Sequence, residues 1–276
     1  MFESLLPAFH LFGEVRGRTL TFQVRKAWVA AFLVAGGVLV LAALGVLAAP
    51  ASSAALAERG TETMRQGNLN AAWVEFTWAA FLNPRNAAAF LGRGEVYRSQ
   101  HILDRALADL TQAIRLDPQW AAAYHARGLA YVTTGNLTFA IADQTRAIGL
   151  APRESSFYAE RAVMYQLSGD YDRAIADYGE MLRLDPGSAA AFLNRGLLYA
   201  GKGDYDQAIA DYTQAIRLNP QLSDAYMNRA VAFRERGQNL QAIQDLQTYL
   251  ALEPNIPNRA QLEQQISRLG ELEGGK

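Results

Sequence analysis

The residues with the most regular chemical potential in this chain are arginines and carboxylates. Arg59, Arg93, Arg127, Arg161, Arg195 and Arg229 follow one another at intervals of 34 residues. Sixteen residues after each stands an acid: Glu75, Asp109, Asp143, Asp177, Asp211 and Asp245. A ladder of guanidinium groups is what an anionic ligand would need. A matching ladder of carboxylates favours a structural reading instead. Six bases meet six acids and leave no surplus charge, so each arginine is expected to lay its stem on an apolar seam and pair with a carboxylate of its own or a neighbouring unit.

Other candidates for chemistry are sparse. There are three histidines, His10, His101 and His125, none with a second ligand or an acid at metal-site spacing, and there is no cysteine. Disulfides, thiolate metal sites and thiol nucleophiles are therefore excluded. "GKGD" at 201–204 touches a phosphate-loop pattern only through a turn glycine, and "LGRGEV" at 91–96 lies in a helical pattern rather than at a strand-to-helix turn. "NLT" at 136–138 is a glycosylation sequon in a turn, with meaning only in a eukaryotic lumen. No catalytic centre, metal or cofactor is expected, and no small-molecule substrate. With a net charge of −1 and no basic stripe, nucleic acid is not an expected partner either.

The elements that position these residues fall into two unlike parts. The 276-residue chain is 50% hydrophobic and 19% charged, as folded proteins are. Residues 1–52 carry a net +2 and the remainder −3. "AWVAAFLVAGGVLVLAALGVLAA", Ala27–Ala49, is 23 residues without a charge. As a helix it would be about 35 Å long at ~1.5 Å per residue, against roughly 30 Å of hydrocarbon. A retained transmembrane helix is favoured over a cleaved signal, whose apolar region runs to about 7–15 residues, although "AAPASSAA" offers small residues where a peptidase could cut. Arg16, Arg18, Arg25 and Lys26 precede the span, whereas Arg59 and Arg65 follow it with Glu58 and Glu62 between. That asymmetry predicts a cytoplasmic N-terminus, with everything after Pro50 on the extracytoplasmic side. In the juxtamembrane segment 1–26, Phe2, Leu5, Leu6, Phe9 and Phe12 recur at helical spacing, interrupted by Pro7, and "TLTFQV" alternates like a strand.

Beyond the span, Pro84, Pro118, Pro152, Pro186, Pro220 and Pro254 recur every 34 residues. Such a period signals a solenoid. With proline as position 32, six units cover 53–86, 87–120, 121–154, 155–188, 189–222 and 223–256. Position 4 is large, position 8 is Gly or Ala, and position 11 is aromatic in all units but the first, which has Thr63. These make one helix face. Position 15 is glycine except for His101, and marks the helix end. Position 20 is alanine and position 30 leucine in all six units. Proline then blocks continuation. Each unit reads as helix, turn, helix, stop.

These columns resemble the tetratricopeptide repeat (TPR) over residues 53–256. Departures are His101 in the turn of unit two, Thr63, Trp73 and Trp78 in unit one, and Tyr249 in unit six. After the last unit, residues 257–276 contain Leu262, Ile266 and Leu269 on one face of a polar helix, suited to capping an exposed end. The resemblance implies an all-α right-handed solenoid of helix pairs whose first helices line a concave groove that binds segments of other proteins. At positions 5 and 9, which face the groove in this family, the chain lacks the Lys, Asn and Arg with which some members grip a terminal carboxylate. From unit three onward it offers Leu129, Val163, Leu193, Leu197, Met227 and Val231. Either packing between units hides this stripe, or a partner helix or apolar segment lies in it. The expected function is a non-catalytic scaffold, accessory subunit or assembly factor for a membrane complex. A secreted peptide-binding adaptor, or an enzyme between the solenoid and the N-terminal segment, is the alternative.

Overall fold

The computed structural model describes residues 52–274. Among these, the chain is all-α, with thirteen helices. The first six pairs are α1 (Ser53–Arg65) with α2 (Leu69–Leu82), α3 (Ala87–Ser99) with α4 (Leu103–Leu116), and α5 (Ala121–Thr133) with α6 (Leu137–Leu150). They continue as α7 (Ser155–Leu167) with α8 (Tyr171–Leu184), α9 (Ala189–Gly201) with α10 (Tyr205–Leu218), and α11 (Ser223–Glu235) with α12 (Asn239–Leu252). A last helix, α13 (Arg259–Gly274), closes the array. No helix among the described residues is long and apolar enough to cross a membrane; the apolar run Ala27–Ala49 lies outside the described residues.

Local chemistry sets these boundaries. Ser52, Asn86 and Ser188 cap α1, α3 and α9, each side chain accepting from the backbone N–H three residues on. The turn within each pair needs a left-handed residue, and the five turn glycines adopt φ between 70° and 82°. His101 takes the same conformation at φ 59°. Every second helix stops at its position-30 leucine, two residues before the proline.

Packing follows the columns. The position-20 alanines, Ala72 to Ala242, are buried between the two helices of a pair. A Cβ on Gly196 would lie 2.7 Å from the Tyr212 ring, and one on Gly94 would lie 2.8 Å from Leu110. In these two units glycine leaves room for the bulky position-24 side chain to cross the pair. First helices of neighbouring units touch (α1 with α3, α3 with α5, α9 with α11), and no two second helices approach as closely. The first helices thus line the inner side of the curve. At the far end, Leu262 and Leu269 of α13 are buried against Leu246 and Leu250 of α12.

Candidate functional site: the inner face of the solenoid

The arginine and acid ladders meet within each pair. Arg161 donates from Nε and Nη2 to both oxygens of Asp177, at 2.7 Å each. The same two-pronged contact joins Arg93 to Asp109, Arg127 to Asp143, Arg195 to Asp211 and Arg229 to Asp245. In the first unit Arg59 reaches Glu75 through one nitrogen at 2.9 Å. The five aspartates are buried, and the hydrogen bond that Arg161 donates to Asp177 raises the guanidinium pKa above its ordinary value despite desolvation. The third arginine nitrogen does something that spacing alone did not show. Nη1 of Arg127, Arg161 and Arg229 donates to Thr111, Thr145 and Thr213 of the preceding unit, at 3.2, 3.0 and 2.9 Å. Each of these arginines therefore ties three helices together.

The apolar stripe is distributed along α5, α7, α9 and α11. Leu129, Leu193 and Met227 are half-buried, whereas Val163, Leu197 and Val231 remain 44%, 39% and 40% exposed. Met227 and Val231 line a cleft of about 200 Å³, closed on its other side by Gln265, Arg268 and Leu269 of α13. The stripe thus narrows against the chain's own last helix at one end and stays open across α7 and α9.

At its other end the stripe runs into a polar cluster that the columns did not disclose. Position 24 is Phe76, Leu110, Tyr178, Tyr212 or Leu246 in five units and Gln144 in unit three. Gln144 is fully buried. Its Nε2 donates to the Phe157 carbonyl at 2.9 Å, which fixes the amide so that Oε1 faces His125 Nδ1 at 3.1 Å. Nδ1 also lies 2.9 Å from a Glu160 carboxylate oxygen. Two acceptors on one ring nitrogen require that nitrogen to carry a proton. The ring stacks on Phe157, with centroids 4.8 Å apart. Burial by itself would lower the His125 pKa. The hydrogen bond and charge of Glu160, the Gln144 contact and the charge of Glu95 together outweigh it, and the pKa is raised. Desolvation raises the Glu95 carboxyl, against the opposing charges of Arg98 and His125. The one signal available in the sequence was a lone glutamine in an apolar column.

Among the described residues, no three histidine or acidic side chains are grouped to hold a metal ion. The inner face is thus apolar over α7 and α9 and polar around His125, where α5, α6 and α7 meet.

Comparison with known proteins agrees with this architecture. Family models described as tetratricopeptide repeat match residues 121–154, 189–222 and 211–244, and one described as TPR repeat matches 94–135 and 163–203. Together they span more than half of the chain. A search of curated proteins returns no match. Among solved structures, MamA is 26% identical at a TM-score of 0.55, covering 59% of this chain and 95% of its own. YrrB, described as a TPR protein with an unusual peptide-binding site, is 20% identical at a TM-score of 0.60, covering 68% of this chain and 97% of its own. PilF of Pseudomonas aeruginosa is 16% identical at a TM-score of 0.64, covering 77% and 97%. Helix pairs every 34 residues, an alanine seam between them and matching family models along the array place this chain in the tetratricopeptide repeat family.

Proposed function

We propose that this protein is a non-catalytic scaffold that holds a segment of a partner protein on the inner face of α5, α7 and α9, close to a membrane in which Ala27–Ala49 anchors it. The observation that carries the reading is the open apolar stripe at Val163 and Leu197, which neighbouring units leave uncovered. An apolar strip of this kind suits the hydrophobic side of a partner helix, and the polar cluster around His125 would fix which way the segment runs. Anchoring raises the effective concentration of a partner in the same membrane without any new contact. The flanking bases support a cytoplasmic N-terminus, with the repeats and the partner complex on the extracytoplasmic side.

The test replaces Leu197 with Glu in the full chain, extracted in detergent, and compares co-purifying proteins with those of the wild type by mass spectrometry. A folded Leu197→Glu protein that loses a defined partner supports the groove. Retention of every partner refutes it, and loss of the helical circular dichroism signal at 25 °C assigns Leu197 to packing. N-terminal sequencing of the mature chain settles the anchor: a start near Met1 supports it, and a start after Ala49 replaces it with a cleaved signal.

A further inference from the structure

The outer face of α2 is unlike that of any other second helix. Positions 26 and 29 carry Trp78 and Phe81, where units two, four and five carry Gln112 and Arg115, Glu180 and Arg183, and Gln214 and Arg217. Position 22 is Val74, where the other units have alanine or glutamine. Phe81 is 53% exposed and Val74 44%, and Trp78 packs edge-on against Phe81 with centroids 5.6 Å apart. The helix has no Lys or Arg, and its one acid, Glu75, is bonded to Arg59. A face that carries polar or charged side chains in units two, four and five is thus an aromatic and aliphatic one in the first.

Its location suggests an occupant. α2 runs back along α1, so its last turn lies beside the first residue of the array. Ser53 Oγ donates to the Ala79 carbonyl at 2.7 Å, and Asn86 Nδ2 donates to Ser53 O and Oγ at 3.1 and 2.7 Å. Trp78 and Phe81 flank that carbonyl in sequence. The apolar run ends at Ala49, and only Pro50, Ala51 and Ser52 separate it from Ser53. Four Cα steps reach at most about 15 Å. A patch of Trp and Phe held that close to the end of a membrane span has the headgroup zone within reach, and that is where such rings are favourable.

We propose that the outer face of α2, through Trp78, Phe81 and Val74, docks onto the lipid surface and so fixes the tilt of the whole solenoid on the membrane. This rests on the anchoring of residues 27–49, and the test separates the two. The absence of cysteine allows single labels on an otherwise native chain. Nitroxides at Asn83→Cys and, at the matching exposed position of unit two, Asp117→Cys report docking, and one at Val40→Cys reports the span. The full chain is reconstituted into vesicles of phosphatidylcholine and phosphatidylglycerol. The readout is the collision ratio of oxygen to a water-soluble nickel chelate.

The expected ratio at position 83 is at least threefold that at 117, and it falls to the 117 value when Trp78→Gln and Phe81→Arg are added. Equal ratios at 83 and 117 overturn the docking, with the anchor intact if position 40 remains lipid-like and lost if it does not. A raised ratio at 83 with position 40 in water keeps the docking and removes the anchor. A label at 83 shielded from both reagents also overturns the proposal, because the patch is then covered by protein, either residues 1–51 or a second copy.

Discussion

Gly179 interrupts the threonine ladder, and restoring it should stabilise the protein. The position-25 residue is Thr77, Thr111, Thr145, Gly179, Thr213 and Gln247 in the six units. Three of these threonines accept from Nη1 of the next unit's arginine. Arg195 has no hydroxyl to meet, and its side chain is 22% exposed against 16% for Arg161 and Arg229. A Cβ built on Gly179 finds only Arg195 Nη1 within 4 Å, at 3.9 Å, so a side chain fits without displacing anything. Replacing glycine by threonine in a helix interior gains about 0.4 kcal/mol of propensity. A hydrogen bond to the largely buried guanidinium adds about 1 kcal/mol. Valine has the same shape and nearly the same propensity but no hydroxyl, so it isolates the bond.

The expectation is Gly179→Thr about 1.4 kcal/mol more stable than wild type and Gly179→Val about 0.4. On an array of this size each kcal/mol is worth roughly 2–4 °C in Tm. Repeat arrays unfold unit by unit as neighbours lose contact, so the decisive assay is hydrogen exchange. Amides of α8 and α9 should slow about tenfold in the threonine variant, with α3 and α4 unchanged. Equal protection in the threonine and valine variants would refute the idea that arginine couples one unit to the one before.

Three further outcomes follow from the same geometry. Asp177→Asn leaves the Arg161 guanidinium with one amide oxygen in place of two carboxylate oxygens and no countercharge in a nearly buried site, and should cost about 2–4 kcal/mol in thermal unfolding while partner capture at a temperature where the chain is folded stays unchanged. His101→Gly removes the strain of a left-handed non-glycine residue and should gain about 0.5–1 kcal/mol by the same melt; a loss would mean the imidazole holds the turn by a contact of its own. His125 has a raised pKa, so its favourable contribution is complete below the unfolded value near 6.5 and is lost as pH climbs through the folded value. Glu95, also raised, acts with the same sign above its ordinary 4.5. Tm should therefore fall between pH 6 and 8 in the wild type and change less in His125→Gln, and a rise over that window would contradict the Nδ1–H contact to Glu160.

What could be read in the sequence was whatever repeats. Helix limits, the alanine seam, the turn position and the arginine and acid ladders are columns, and a column averages away the accident of a single residue. The threonine ladder was present in the same letters but had no meaning until the arginine was seen to reach across a unit boundary, sixteen residues back as well as sixteen forward. The His125 cluster was harder still, because Gln144, Phe157 and Glu160 come from α6 and α7 and share no column with one another. A solenoid can be built from identical units, so selection for stability alone has no reason to place a buried glutamine in an apolar row or tryptophan on a solvated one. Such breaks carry a cost in packing or in exposed apolar surface, and they persist where something outside the repeat contacts them. Gln144 is itself buried, but it holds His125, which with Glu160 reaches the polar end of the inner face, and the aromatic break lies beside the chain's entry into the array. The units supply the rigid frame, and recognition is expected where they cease to match.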